Sequence, residues 1–307
     1  MMKTVLIVSN TNDRHVDAIT TRLHERSLPV QRLNCDAFTS SKHTWRIPSD
    51  ATQGAHSSWI HLDVGVVWYR KVTFLNGQDP ALSFIVQEHE GLFESVLDQY
   101  CRCRWVNSRS SITVARPKVA QLQRARSIGF RIPDTIITND VAVLKEFADS
   151  HGGSVVAKPI RAQVVGNDDD ALVIGTRQLP SEYYESATAY SPCYAQERLK
   201  LTSEIRVIAF GSRLHSFRLT ADKEADDIKQ LELENIRHEL CNLDPVVAQK
   251  VHRIMSYYKL EFAAIDFAVV DDGEPVFLEL NPNGQWLWLQ YMTGVNLADP
   301  FIDFLCT

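Results

Sequence analysis

Residues 262–284 read FAAIDFAVVDDGEPVFLELNPNG, two apolar runs split by Asp272-Gly273. Asp-Gly between β-rich runs is a strong hairpin signal, because the turn needs a residue that tolerates positive φ. A two-residue loop there pairs 271 with 274, so partners across the hairpin sum to 545 (271 + 274). By that sum Asp266 faces Glu279 and Ala264 faces Asn281. Cross-strand partners share a face, as do residues two apart along a strand. Val276, Leu278 and Leu280, with Ile265, Phe267 and Val269, then fill the other face as core. Two carboxylates about 5 Å apart repel one another, and a cation is the natural way to retain them. All-oxygen ligands without Cys or His select a hard ion, Mg²⁺ first and Mn²⁺ second. The competing reading is a solvated hairpin face with two unrelated acids; the shared register and the third oxygen ligand, Asn281, weigh against it. Mg²⁺ held by few carboxylates completes its shell with water and phosphate oxygens, which points to a nucleotide.

The bulk numbers narrow the class. With 307 residues, 45% of them hydrophobic, the chain can bury a large core and suits two or three small domains. A net charge of −6 disfavours non-specific nucleic-acid binding. No apolar run approaches membrane-spanning length, and the opening MMKTVLIVSN reads as a first buried strand rather than a signal peptide. The six cysteines are scattered without CxxC spacing, as expected of ordinary thiols in a reduced, cytoplasmic protein.

Outward from the hairpin, the pattern predicts a small α/β unit to about residue 113. It has strands at 3–9, 30–33, 45–47, 59–62 and 64–70, a helix over 13–26 and another from Pro80 to about Cys103. Pro117 fits the first turn of a helix that runs through Ile128 and stops at Gly129. A strand entry at 131–138, a short helix over 140–150 and a buried strand SVVAKPI follow, then strands at ALVIGTRQL and CYAQERL. SEIRVIAFGSRLHSFRL is a second hairpin turning at Gly211-Ser212. The acidic stretch from Ala221 to about Leu240 reads as helical, as does Pro245–Tyr258, and a short helix closes the chain. Three lobes result: 1–113, 114–194 and 195–307.

Several residues within this frame carry chemistry. Lys158 lies in an apolar strand just before Pro159, where an inward lysine needs an anion; an outward, solvated lysine is the equal alternative. The loop after it is not a Walker A sequence, so lysines, arginines and backbone groups would have to hold phosphate. Gln196, Glu197, Arg198 and Leu199 form a strand-to-strand hinge whose backbone can read an adenine edge. Glu204 is placed for a ribose hydroxyl and Arg206, on the same face, for phosphate oxygens, with Arg218 on the return strand. Without context, surface charges on a strand are the favoured reading of these residues. No GxSxG motif and no metal-like histidine pair is present.

Together these residues resemble the ATP-grasp superfamily, whose signature places an acid on one hairpin strand and E-x-N on the next, as in Asp266 and ELNPNG. NSRSSITVARPK with Lys118, the AKP strand, the QERL hinge and the EIR segment match in order across 107–290. LELNPNGQWLWLQ, VVWYRK and RSIGFRIPDT look further like the ligases that macrocyclise microviridin-type (graspetide) precursors. The resemblance implies an α/β ATP-grasp fold of three lobes, the last with an antiparallel sheet. It implies that ATP phosphorylates a side-chain carboxylate of a ribosomal precursor peptide with a leader segment and a core rich in Asp, Glu, Thr, Ser and Lys. A Ser/Thr hydroxyl or Lys amine then closes an ω-ester or ω-amide ring. It further implies Lys118 and Lys158 on phosphates, Gln196 to Leu199 at adenine, Glu204 at ribose and Asn281 on both nucleotide and metal. Arg206 and Arg218 would be catalytic, Asp266, Glu279 and Asn281 would hold Mg²⁺, and the enzyme would be a homodimer.

Related small-substrate ligases put an arginine two residues before the first metal acid. Here that residue is Ala264, which could leave room for a peptide. Trp286 and Trp288 either wall the acceptor site or pack in the core. The polar stretch 218–240 is a candidate docking region for the leader, or a solvated rim helix. Two other functions compete: an ATP-dependent carboxylate–amine ligase acting on amino acids or protein termini, and a non-catalytic nucleotide-binding module.

Overall fold

The computed structural model describes all residues except 1–2, 41, 43, 51–55, 58–62, 75–79, 99–101, 161–163, 166–171, 174, 222–227, 229–234 and 272. The chain divides into two compact units, one comprising Met1–Ile112, Leu260–Phe262 and Asn296–Thr307, the other Thr113–Lys259 and Ala263–Val295.

The first unit is built on β1 (Thr4–Ser9), α1 (Arg14–Glu25), β2 (Val30–Asn34), β3 (Trp45–Arg46), β4 (His56–Ser57), β5 (Val64–Tyr69), α2 (Pro80–Asp98) and β6 (Arg104–Val106). Its four-stranded sheet runs β2-β1-β5-β6, with every pairing parallel. β1 is buried along its whole length, which is why TVLIVS is a continuous apolar run rather than an alternating one. α2 is described to Asp98; Cys103, the predicted helix end, is not helical, and Arg104–Val106 pairs with Val66–Trp68 as the fourth strand. The predicted strand at 59–62 lies outside the described residues. Phe93, Val96 and Leu97 of α2 cover Leu6, Val8 and Val67. On the C-terminal helix Ala298–Cys306, Phe301 meets the Trp68 ring edge-on at 5.0 Å. A short helix, α3 (Arg109–Ala115), was not expected; seven residues are too few to show a helical period.

The second unit continues with α4 (Lys118–Ile128), β7 (Thr135–Thr138), α5 (Val141–Ser150), β8 (Val155–Lys158), β9 (Val164–Val165), β10 (Leu172–Val173), β11 (Arg177–Gln178), α6 (Tyr184–Ala189) and β12 (Cys193–Glu197). It ends with β13 (Ser203–Phe210), β14 (Arg213–Ala221), β15 (Ile236–Cys241), α7 (Pro245–Tyr258), β16 (Phe262–Val269), β17 (Pro275–Asn281) and α8 (Leu287–Thr293). One sheet has the order β11-β8-β12-β7 and the other β15-β14-β13-β16-β17. Gly129 stops α4 in the left-handed conformation at φ 95°. The 203–221 hairpin turns at Gly211-Ser212 as expected, Phe210 pairing with Arg213 and Gly211 at φ 56°.

Two expectations change. Residues 236–241 form a strand, not the end of an acidic helix: Ile236 is buried, Arg237 and Glu239 are exposed, and Ala221 pairs with Ile236. Most of the stretch before it, 222–234, lies outside the described residues. The signature hairpin also departs from a single register. Near the turn the pairs are Val269↔Pro275, Ala268↔Val276 and Phe267↔Phe277, whereas farther along they are Asp266↔Glu279, Ile265↔Leu280 and Ala264↔Asn281. Gly273, at φ 76°, donates to the Val270 carbonyl at 2.8 Å, so the connection is longer than two residues. Leu278 is the extra residue of a β-bulge that restores the 545 sum where the acids lie. Phe277 consequently joins the core beside Phe267, and Phe130 lies 5.5 Å and 5.6 Å from their rings. β16 is buried on both faces, not one.

Candidate nucleotide and metal site

Asp266 and Glu279 are direct cross-strand partners, with Asn281 two residues beyond Glu279. Neither acid stands bare. Arg206 Nη1 donates to both oxygens of Asp266, at 2.8 and 2.9 Å, and its Nη2 to the Gln285 carbonyl at 2.8 Å. Lys118 Nζ lies 3.8 Å from Glu279 Oε2 and donates to the Pro159 carbonyl at 3.2 Å. Lys118 opens α4, and the buried Gln121 one turn on clamps that helix to β17. Gln121 Nε2 donates to the Leu280 carbonyl at 2.7 Å and its Oε1 accepts from Leu280 N at 2.9 Å. Asn281 is exposed, its Oδ1 accepting from Asn283 N at 3.0 Å.

Lys158 pairs with Tyr194 across β8 and β12, so the two share a face. Ala157 packs on the other side, against the core of Leu144, Val155 and Ala195. Burial pushes the Tyr194 phenol up, and the Glu279 carboxylate pushes it further. Lys158 thus stands on the face whose tyrosine feels Glu279, away from the apolar core of its own sheet. The hinge leaves β12 tied at both sides. Gln196 Nε2 donates to Thr135 Oγ1 at 2.9 Å, Glu197 N to the Asp134 carbonyl and Arg198 N to the Ser154 carbonyl, each at 3.0 Å. Leu199 packs against Ala268, Val270 and Val276 of the signature hairpin. Glu204, buried on the same face of β13 as Arg206, accepts from Ile228 N at 2.9 Å.

Arg218 is not brought to this cluster. It pairs with Ile205, on the opposite face of the sheet from Arg206, and donates to Ser203 Oγ at 2.8 Å. Nor does Ala264 leave a gap. It is fully buried, and a Cβ built on Gly284 would come within 2.2 Å of the Ala264 Cβ. The Asn-Pro-Asn-Gly turn therefore lies directly on Ala264, filling the space and setting the Gln285 carbonyl against Arg206. Trp286 is core, 1% exposed, whereas Trp288 stands half-exposed with the Arg206 guanidinium 6.0 Å from its ring. Tyr194 and Gln121 were missed. A tyrosine in an apolar strand and a glutamine in a helix carry no signal in sequence.

The donor set suits a hard cation. It offers two carboxylates and an amide oxygen. Among the described residues no group of three His, Cys, Asp or Glu side chains could hold a metal. Two acids alone are what Mg²⁺ accepts when phosphates and water supply the other ligands.

Solved structures share this architecture. Aligned over 98% of this chain and 99% of the other, the macrocyclase MdnC from Microcystis aeruginosa MRC, bound with precursor peptide MdnA, is 20% identical with a TM-score of 0.81. The Chryseobacterium gregarium RiPP-associated ATP-grasp ligase, in complex with ADP and a leader and core peptide, is also 20% identical, with a TM-score of 0.79 over 99% and 96% of the two chains. The macrocyclase MdnB from Microcystis aeruginosa MRC is 23% identical, with a TM-score of 0.77 over 99% of each. No family model and no curated protein matches the sequence. The likeness establishes the fold, that of the ATP-grasp ligases, along the whole chain.

Proposed function

We propose that the chain is an ATP-dependent peptide ligase that activates Asp or Glu side chains of a ribosomal precursor and closes ω-ester or ω-amide rings. The carrying observation is the Asp266–Glu279 pair, one acid held by Arg206 and the other beside Lys118, in a fold whose solved members include macrocyclases bound to precursor peptides. The sheets over 135–197 and 203–281 are the two halves that clasp ATP, so the working division is 1–113, 114–194 and 195–307. Lys118 and Lys158 meet phosphates, the hinge from Gln196 to Leu199 reads adenine and Glu204 meets ribose. Asp266, Glu279 and Asn281 would hold Mg²⁺, which would supply neutralising charge to the phosphates.

The γ-phosphoryl group moves to a carboxylate oxygen of the peptide, leaving ADP. A Ser/Thr hydroxyl or Lys amine attacks the acyl carbon, its proton is lost, and phosphate departs with its bonding pair. Moving a phosphoryl group between anions is chiefly a matter of positioning and neutralising charge; Arg206 and the two lysines supply it. Arg206 is the arginine at the reacting centre, while Arg218 acts from the far face of its sheet. The stretch 218–240 docks the leader, and the enzyme is a homodimer working in the cytoplasm. No helix among the described residues is long and apolar enough to cross a membrane.

The test is mass spectrometry of the Thr-, Ser-, Asp- and Glu-rich peptide encoded beside the gene after incubation with enzyme, ATP and Mg²⁺. Successive losses of water, each with one ADP formed, are expected. ATP use without any mass change of that peptide, together with ADP formation on free amino acids, would move the small-substrate ligase reading ahead.

A further inference from the structure

The face of the five-stranded sheet that carries Arg206 and Asp266 also carries a histidine to which sequence assigns no role. His238 on β15 pairs with Leu219, which in turn pairs with Glu204, so the three form one lateral row on the face of Arg206. Its ring meets Trp288 edge-on at 5.3 Å, and the same indole lies 6.0 Å from the Arg206 guanidinium. Trp288 thus lies against both the phosphoryl-handling arginine and an imidazole. His238 hydrogen-bonds the Ile236 backbone, while its Nε2 is buried with no hydrogen-bond partner. A buried nitrogen left unpaired costs stability, and a ligand that donates a hydrogen bond relieves it.

Resting on the ligase reading above, we propose that His238 and Trp288 form the acceptor subsite. Trp288 packs the stem of the attacking Ser, Thr or Lys side chain, and His238 Nε2 accepts the proton from its hydroxyl or amine. The step balances. The acceptor oxygen or nitrogen bonds to the acyl carbon, its proton passes to Nε2, the carbon–oxygen bond to phosphate breaks and phosphate leaves with the pair. The imidazolium then returns its proton to solvent. Such a lone pair welcomes O–H and N–H donors and repels a carboxylate, so the subsite sorts acceptor from donor side chains.

Burial holds the His238 pKa below the ordinary histidine value, its Ile236 hydrogen bond opposing this, so at neutral pH the ring is neutral and its Nε2 lone pair is open to a proton. The charged groups sharing its face are Glu204 beyond Leu219, Arg206 near Trp288, and Asp266 and Glu279 on the next two strands; α8, which covers it, brings no charged residue.

The experiment compares wild type with His238→Gln and His238→Phe on the precursor peptide encoded beside the gene, with ATP and Mg²⁺, with and without hydroxylamine. Hydroxylamine traps an acyl phosphate as a hydroxamate and needs no protein base. Both variants should form hydroxamate and ADP within about twofold of wild type while ring closure falls about 10²-fold or more. In Gln the loss should fall on kcat rather than KM. The wild-type ring-closing rate should drop as acid protonates the imidazole, and the Gln variant should lose that limb. Phe, which keeps the ring contact and removes the unpaired nitrogen, should leave Tm unchanged or raised. Ring closure at the wild-type rate in either variant, or hydroxamate formation falling in parallel with it, would overturn the proposal. Wild type that yields neither hydroxamate nor rings would sink the ligase reading itself, a separable outcome.

Discussion

Two buried arginine–aspartate pairs, one in each unit, look alike and are built for different ends. Arg70 and Asp13, 1% and 8% exposed, meet through Nε and Oδ2 at 2.9 Å. Asp13 is also the N-cap of α1, accepting from His15 N, Val16 N and Ser9 Oγ. Folding itself places that carboxylate, since a helix start offers backbone donors to whatever acid precedes it. Arg206 and Asp266 are buried as deeply, but Asp266 sits opposite a second carboxylate, Glu279. No helix is capped there, and like charges across a hairpin oppose the fold. The first pair stabilises the fold, whereas the second sets like charges against each other, as the proposed metal site would require.

Exchanging single atoms should separate the two. Asp266→Asn and Glu279→Gln should each abolish ring closure, by more than about 10³-fold, as charge placed for phosphoryl transfer is removed. Because Lys118 already stands near Glu279 on a half-exposed edge, Glu279→Gln should change stability by less than about 0.5 kcal/mol. Thermal melts beside steady-state assays check both halves, and a large stability loss in Glu279→Gln would erase the distinction.

Asp13→Asn reverses the pattern, because it takes the carboxylate from beside the buried Arg70 guanidinium. About 3–5 kcal/mol of stability should be lost, seen in urea unfolding, with ATP binding intact at temperatures where the protein stays folded. The same carboxyl dictates an acid limb. Burial alone would raise its pKa, but Arg70, His15 and the Val16 and His15 amides outweigh burial and hold it below the usual carboxylate value. A depressed folded pKa contributes stability that is present above the unfolded value, about 3.9, and is lost as pH falls through the folded one. Asp13→Asn should flatten that limb of a pH–Tm curve, whereas Glu279→Gln should leave it in place.

Smaller effects sharpen the picture. Lys158→Met keeps the stem and removes the charge, and ATP affinity should fall by about 1.5–3 kcal/mol, the worth of a charge-assisted bond. Unchanged affinity in a nucleotide titration would make Lys158 a surface residue. Gly273→Ala, forcing a side chain to φ 76°, should cost about 1 kcal/mol in thermal stability and leave ATP affinity unaltered.

The two units also differ in how far sequence reached. The 545 register found the Asp266–Glu279 pair because a strand has period two and Asp-Gly fixes a turn. It missed the bulge at Leu278, since the longer connection and the extra residue cancel by the time the acids are reached. Gly211-Ser212 was legible for the same reason as Asp-Gly. Residues 236–241 were misread as helix because acidic composition outweighed the short alternation of Ile236, Arg237, His238 and Glu239. Arg218 lies on the return strand after Arg206, but partners in that hairpin sum to 423 (205 + 218), so the two even-numbered arginines fall on opposite faces of the sheet. Ala264 looked like a gap, and only the path of Gly284 shows it filled. Asp13 and Arg70 are 57 residues apart, and nothing local announces their contact.

On the ligase reading proposed above, the Asp266–Glu279 site spends ATP on making a peptide carboxylate into an acyl phosphate. The most direct measurement labels the side-chain carboxylates of the precursor peptide with ¹⁸O and examines the phosphate released as rings close. One ¹⁸O per ring should appear in inorganic phosphate, because the departing phosphate carries away a carboxylate oxygen. Ring closure accompanied by unlabelled phosphate would contradict the account.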